Sequence, residues 1–415
     1  MKVFKFGGAS LKNAQGVQQV ASIILSHGSD KLLVVVSAMG KTTNALELIL
    51  KLAVSKKDYH APLQELKQQH YSIIESLFKN PSPTQQAIDS YFLDLESELG
   101  KPNAYDQVYD QVVCVGELIS SVILHHYLLA QNIASYWHDA RASICTDKSF
   151  REGKVDWLKT AICIEGLIPI LKENIIVTQG FIGRTEHGFT TTLGREGSDF
   201  SAAIFASCLN AESVVIWKDV PGVMNADPKR LSTATVFEEL PFKEAAEMTY
   251  YGANVIHPKT IKPLANKQIP LYVKNFTDPS LPGTKIHECT VDHLPPLIVF
   301  KENQCLISCK VTDYTFISEQ QLSIIFHALS ELDIRVNLMQ TSAISFSFCV
   351  DFWESKVALL IEKLQQNFEV FYNTGLTLIT IKNYDQITFE TYRKKKGVLM
   401  EQSSRSTLQV LVKGD

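Results

Sequence analysis

The chain has 415 residues, 45% of them hydrophobic, and a formal net charge of −4. That length suits two or three domains, each able to bury its own core. Nucleic acid is excluded as the expected partner, because the densest basic stretch is the short run Arg393–Lys396. Eight cysteines are scattered without framework spacing, and the close pair Cys305 and Cys309 has no histidine at zinc-site distance, so a reduced protein with no metal-ligating side chains is expected.

The N-terminus, MKVFKFGGAS, enters a strand-like segment directly and lacks an apolar signal core. Apolar runs such as residues 31–37 are far too short to span a bilayer, so a cytoplasmic protein without a membrane partner is expected. Residues 3–6 read as a strand ending at Gly7-Gly8. Val17, Val20, Ala21, Ile24 and Leu25 then recur at helical spacing, and Leu32 to Val36 is a continuous apolar run of the kind buried in a parallel sheet. This βαβ unit sets the class as α/β. From about Asn44 to Tyr109 the composition predicts a helical excursion broken at Pro81-Ser82-Pro83.

Strand–helix alternation resumes with Ile175 to Val177 and Ser213 to Trp217. Turn-rich sequence at 276–283 and Pro295-Pro296 place a domain boundary before about Leu297. Beyond it, strands at 305–311, 336–352 (two around a turn) and 376–381 alternate with helices at 318–332 and 354–366. That order, β-α-β-β-α-β, is ferredoxin-like. A shorter strand-rich remnant follows at 397–401 and 406–412. Cys305 and Cys309 would share one strand face as small core residues.

Three segments carry chemistry. In Lys5-Phe6-Gly7-Gly8-Ala9-Ser10, two glycines after a strand let backbone approach a ligand, and a helix start offers N–H groups to an anion, with Lys5 in reach of a phosphoryl group. Taken alone, the glycine pair reads more readily as an ordinary turn with a solvated lysine. Gly40-Lys41-Thr42 mimics the end of a P-loop, but that pattern needs a glycine where Val35 stands, so 37–44 reads instead as a small-residue loop at a strand end. In Thr190 to Asp199, Ser198 and Asp199 open a helix through Ala202, Ala203, Phe205 and Ala206. Arg195, flanked by glycines, offers a planar fork suited to a carboxylate. His125-His126 reads as packing or surface rather than a metal site.

KFGGAS, SAMGKTTN, Val115-Gly116-Glu117-Leu118, TTTLGREGSD, Trp217 to Gly222 and Gly252 to Pro258 together resemble the aspartate kinases, in order and over about 290 residues. The resemblance implies an amino acid kinase fold, an open and mostly parallel sheet sandwiched by helices, over 1–292 with a helical insertion at 44–110. It also implies an ACT regulatory region over 297–415, with one full unit and a shortened second. Transfer of the γ-phosphoryl of ATP to the side-chain carboxylate of L-aspartate would give 4-phospho-L-aspartate, the first step of lysine, threonine and methionine synthesis.

In that reading Lys5 neutralises the transferring phosphoryl group and Asp199 orients the lysine. Gly7, Gly8 and Ser10 line the phosphate path. Arg195 clamps the α-carboxylate, Glu117 the ammonium group, and Thr43 and Ser198 add hydrogen bonds. Lys218, Asp219, Met224, Lys229, Asn254 and Val255 fall on the ATP side, with Mg²⁺ on the phosphates. Glu117 also reads as a helix-start glutamate, and Met224 as plain packing. The chain departs from the family at Ala9 (usually a hydroxyl), at Asn254 (usually lysine), and at Asn337 and Ala343 (usually acidic, near the effector pocket). A lysine or threonine effector and a homodimer through the ACT region are expected. A non-catalytic amino-acid sensor is the rival reading, and a homoserine dehydrogenase fusion is not expected.

Overall fold

The computed structural model describes residues 1–28, 31–252, 256–291, 293–312 and 315–413. They form two compact units, the first of 1–223, 236–246 and 256–291, the second of 224–235, 247–252 and 293–413.

The first unit opens with β1 (Lys2–Phe6), α1 (Ala14–Ser26) and β2 (Leu32–Val36). All five residues of β2 are buried, as a strand covered on both faces requires. The Asn13 side chain caps α1 by accepting from the Gly16 N–H at 2.9 Å. The buried face of α1 differs slightly from the periodic reading: Ile23 is buried and Leu25 is exposed. Four helices follow: α2 (Thr42–Val54), α3 (His60–Leu77), α4 (Ser82–Leu99) and α5 (Tyr105–Ala130). Pro81 and Pro83 sit at the entry of α4, where a missing N–H leaves no helical bond unmade. One described helix, α5, is long and apolar enough to cross a membrane, but 83% of its most apolar window is buried within the protein. This apolar stretch is much longer than residues 31–37.

The chain continues through β3 (Ser135–His138), β4 (Cys145–Thr146), α6 (Trp157–Glu165), β5 (Ile175–Gln179), β6 (Ile182–Thr185), β7 (Thr190–Thr192), α7 (Gly197–Cys208) and β8 (Ser213–Lys218). After these come β9 (Glu239–Pro241), α8 (Phe242–Tyr250), α9 (Pro258–Asn266), β10 (Leu271–Asn275) and β11 (Thr284–His287). The main sheet has the order β3-β5-β2-β1-β8-β10-β11-β9. Its neighbours run parallel, save the antiparallel pair β10 and β11. Strands β4, β6 and β7 make a small second sheet. The chain leaves β1 toward β2 on one side and returns at β8 on the other. Loops from the carboxyl ends of these strands therefore diverge, and a crevice opens at that end.

The second unit contains β12 (Leu297–Lys310), α10 (Glu319–Glu331), β13 (Val336–Thr341), β14 (Ser345–Asp351), α11 (Glu354–Leu364), β15 (Glu369–Lys382), α12 (Gln386–Arg393), β16 (Val398–Ser403) and β17 (Thr407–Lys413). Its antiparallel sheet has the order β13-β14-β12-β15-β17-β16. The first four strands with α10 and α11 are the ferredoxin-like arrangement read from the sequence. Cys305, Ile307 and Cys309 do share one face, packed with Ile325, Leu329, Val357 and Leu360. Two features exceed the expectation. Both β12 and β15 run for 14 residues and extend the sheet to β17 and β16. The short helix α12 was not foreseen, because its eight residues are mostly polar and bury only Tyr392; Asp385 caps it by accepting from the Thr388 N–H.

Candidate active site

At the carboxyl ends of β1, β2, β5 and β8 lies a cavity of about 720 Å³. Lys5, the penultimate residue of β1, is buried and points its ammonium group into that space. Gly8 passes so close to the loop after β2 that a Cβ there would lie 2.6 Å from the Ala38 carbonyl oxygen. Any side chain would push the two loops apart. Residues Gly8–Leu11 form a short 3-10 turn that buries Ser10, and α1 starts only at Ala14 with its own cap. The backbone N–H groups after the glycine pair thus belong to that turn rather than to an α-helix N-terminus. The small-residue loop is also shorter than read: Thr42 and Thr43 already open α2.

Asp199 lies in the first turn of α7, where the helix dipole favours a carboxylate. Its Oδ1 is 2.7 Å from Lys5 Nζ, and its Oδ2 is 3.7 Å from Lys218 Nζ. Burial alone would raise this carboxyl, but the attraction of Lys5 and Lys218 outweighs it and holds the group below its usual range. The small side chains Ala202, Ala203 and Ala206 are fully buried and let α7 lie close under the sheet. At the strand end Asp219 is exposed, next to the half-buried Lys218.

Glu117 corrects one reading. It sits in the middle of α5, not at a helix start, and is 3% exposed. Its approach depends on Gly116, where a Cβ would come within 2.9 Å of the Ala38 Cβ. The Oε1 atom accepts from the Ala38 N–H at 3.3 Å, while the buried Oε2 has no hydrogen-bond partner. Burial pushes this carboxyl up to about 8, with the Ala38 N–H and Lys5 opposing the shift. A buried carboxyl with one orphaned oxygen, facing a cavity, is poised for a cationic ligand.

The same cavity is lined by Thr43, Arg195 and Ser198, so the structure brings these together with Lys5, Gly8, Glu117, Asp199 and Lys218. Gly7 adjoins the Lys5 ammonium group, 3.5 Å from where its Cβ would be. Arg195 is exposed, on a loop whose next residue, Glu196, has a left-handed backbone and accepts from the His257 N–H at 2.9 Å. Met224 and Lys229 belong to the second unit. Asn254 and Val255 lie outside the described residues.

Sequence reasoning missed Asp110, Arg151, Glu152 and Phe181. Asp110 is fully buried on α5; its carboxylate accepts from the Thr192 N–H and hydroxyl and from the Arg151 N–H, at 2.8 to 3.0 Å. One carboxylate thereby ties the strand leading to Arg195 to the loop carrying Arg151 and Glu152, which line the cavity with Phe181. Arg151 (φ +68°) and Phe181 (φ +72°) hold left-handed conformations that side chains disfavour. No local pattern announces these residues: Asp110 stands among Asp106, Gln107 and Gln111 in the polar first turns of α5. His125 and His126 bond to the hydroxyls of Ser135 and Thr84, each at 2.9 Å, in keeping with packing.

Residues 1–275 match the model of the amino acid kinase family. The chain is 32% identical to lysine-sensitive aspartokinase 3 of Escherichia coli over 355 residues, covering 84% of this chain and 78% of that one. It superposes on solved structures of E. coli aspartokinase III, one with aspartate and ADP (TM-score 0.84, 29% identity) and one with lysine and aspartate (TM-score 0.83, 28% identity), each over 100% of this chain and 96% of the other.

Proposed function

Since the chain belongs to the aspartate kinases of the amino acid kinase family, we infer that it transfers the γ-phosphoryl of ATP to the side-chain carboxylate of L-aspartate, giving ADP and 4-phospho-L-aspartate. The observation that carries this reading is the joining of Lys5, Asp199, Glu117 and Arg195 in one cavity, although they are far apart in sequence. A solved relative of the same fold is described with aspartate and ADP.

Phosphoryl transfer asks for alignment and charge neutralisation rather than a covalent step by the protein. A β-carboxylate oxygen of aspartate forms the new bond to the γ-phosphorus as the bond to the β,γ-bridging oxygen breaks, and ADP leaves with that electron pair. Lys5 lies where negative charge accumulates on the transferring group, held in place by Asp199. Lys218 shares Asp199 and stands on the nucleotide side with Asp219. Gly7, Gly8 and the Ser10 turn give backbone N–H groups a close approach to the phosphates.

At the other end Arg195 clamps the α-carboxylate of aspartate and the orphaned Glu117 Oε2 receives its ammonium group. An arriving cation lowers the carboxyl of Glu117, so aspartate binding near neutral pH releases a proton. Thr43 and Ser198 complete the hydrogen bonding. Asp199 is already engaged by two lysines, so Mg²⁺ would fit as an ion carried by phosphate oxygens and water, where it would neutralise charge.

Feedback regulation is assigned to the C-terminal region, 297–415, and catalysis to 1–292 with its 44–110 helical insertion. Support comes from the ferredoxin-like order of the second unit and from a relative described with lysine. Lysine or threonine is the effector class, a homodimer through that region the assembly, and the cytoplasm the compartment.

The test incubates the full chain with ATP, Mg²⁺ and single amino acids, and traps acyl phosphate with hydroxylamine. Hydroxamate from aspartate is expected; hydroxamate from glutamate alone overturns the assignment. Repeating the assay with lysine, threonine and methionine, singly and in pairs, identifies the effector, and indifference to all of them removes the regulatory reading.

A further inference from the structure

At the edge of the main sheet, away from the cavity, three chemically distinct metal donors converge. In β11 the parity of the strand buries Ile286 in the core and turns Lys285 and His287 to the opposite face. Cys289, two residues on, continues that spacing. The edge strand β9 pairs parallel to β11 with Glu239 in register with Lys285, so its carboxylate joins the same face. The carboxylate, imidazole and thiol donor atoms lie within 4.8 Å of one another.

Two details distinguish this cluster from an ordinary surface ion pair. His287 Nε2 is buried without a hydrogen bond, though Glu239 Oε1 is only 3.4 Å away. Two ligands bound tetrahedrally to zinc at about 2.0–2.1 Å are themselves about 3.4 Å apart, the edge of the tetrahedron. A nitrogen and an oxygen at that separation have the spacing of two ligands of a common cation. The charges also fit: one carboxylate, one thiolate and a neutral imidazole balance a divalent ion, while Glu288 offsets Lys285, whose ammonium group is 3.9 Å from Glu239.

We propose that Glu239, His287 and Cys289 bind a borderline divalent transition-metal ion such as Zn²⁺, clipping the edge strand β9 to the end of β11. Mixed sulfur, nitrogen and oxygen donors select Zn²⁺ or Co²⁺ over Mg²⁺ and Ca²⁺, and three protein ligands leave a fourth position for water. The site is remote from phosphoryl transfer. Ile286 pairs with Leu271 and Leu271 with Val214, near the start of β8, whereas Lys218 ends that strand. Four residues of strand separate the two levels by about 13 Å.

The experiment uses the full chain, reduced, stripped with chelator and free of nucleotide, titrated with Co²⁺. One equivalent is expected to produce a thiolate-to-cobalt charge-transfer band with tetrahedral d–d bands, bleached by Zn²⁺. Cys289→Ser should abolish the charge-transfer band, and His287→Asn should weaken Co²⁺ binding at least about tenfold. Cys163→Ser is the control for the neighbouring Cys145 and Cys163 thiols and should keep the band. In parallel, Zn²⁺ should raise the Tm of the unsubstituted chain and not that of Cys289→Ser. A titration without the band, or a band that survives Cys289→Ser, overturns the proposal.

Discussion

Two buried polar groups, one in each unit, are treated in opposite ways. In the second unit, Gln304 is fully buried, yet its amide donates to Asp351 at 2.8 Å and its carbonyl accepts from Asn337 at 2.8 Å. Lys301 closes the network by donating to Asn337 and Asp351. Burial would raise Asp351, but the bonds from Gln304 and Lys301 prevail and hold it low. In the first unit Glu117 is left with one oxygen unpaired and a carboxyl pushed up to about 8. A closed network fixes architecture where the β12–β15 register shifts on either side of Gln304, whereas an open one waits for a ligand. Asn337, where the family resemblance leads to an expected acidic residue, is engaged inside the closed network.

This contrast can be broken from the largest effect downward. Lys5→Ala should reduce kcat by about 10²–10³-fold, as loss of a charge-stabilising donor does, with an unchanged circular dichroism spectrum. Near-normal turnover would remove Lys5 from the chemistry. Arg195→Ala should act mainly on KM for aspartate, raising it by roughly 10-fold, since a charge-assisted hydrogen bond from an exposed guanidinium is worth about 1.5 kcal/mol. A kcat effect with unchanged KM would move Arg195 off the substrate.

Glu117 supplies a pH test. Its folded value of about 8 exceeds the ordinary 4.5. Folded and unfolded chains both hold the proton below the ordinary value, and only the folded chain holds it between the two. The unliganded protein should therefore lose stability as pH rises through that window. Glu117→Gln should flatten this slope, measured by urea unfolding at successive pH values, while raising KM for aspartate. An unaltered slope would mean that Glu117 is ionised in the empty cavity. The smallest effect on catalysis belongs to the second unit: Gln304→Ala should cost about 1–3 kcal/mol of its unfolding free energy, through the partners it leaves unpaired, with kcat retained.

Legibility in the sequence followed locality. The βαβ entry, the helical excursion and the β-α-β-β-α-β order were visible because apolar periodicity and turn residues act over a few positions. Lys5, Arg195 and Asp199 were legible through glycine-flanked segments. Asp110 was not, because its role lies in accepting from Thr192 and Arg151, more than 40 residues away on either count. The helix α12 and the orphaned state of Glu117 were hidden for the same reason: both depend on what packs against them.

The strand ending in a glycine pair after Lys5 was set by sequence alone, since a mostly apolar run and two glycines are local signals. Sequence likewise placed Asp199 at a helix start. Only the tertiary structure decided that these two groups meet at 2.7 Å, that burial holds Glu117 protonated toward neutral pH, and that Glu239 faces His287. The physical reason is range. Backbone preference is settled between neighbours, whereas desolvation and charge pairing are settled by whichever segments the sheet order brings together.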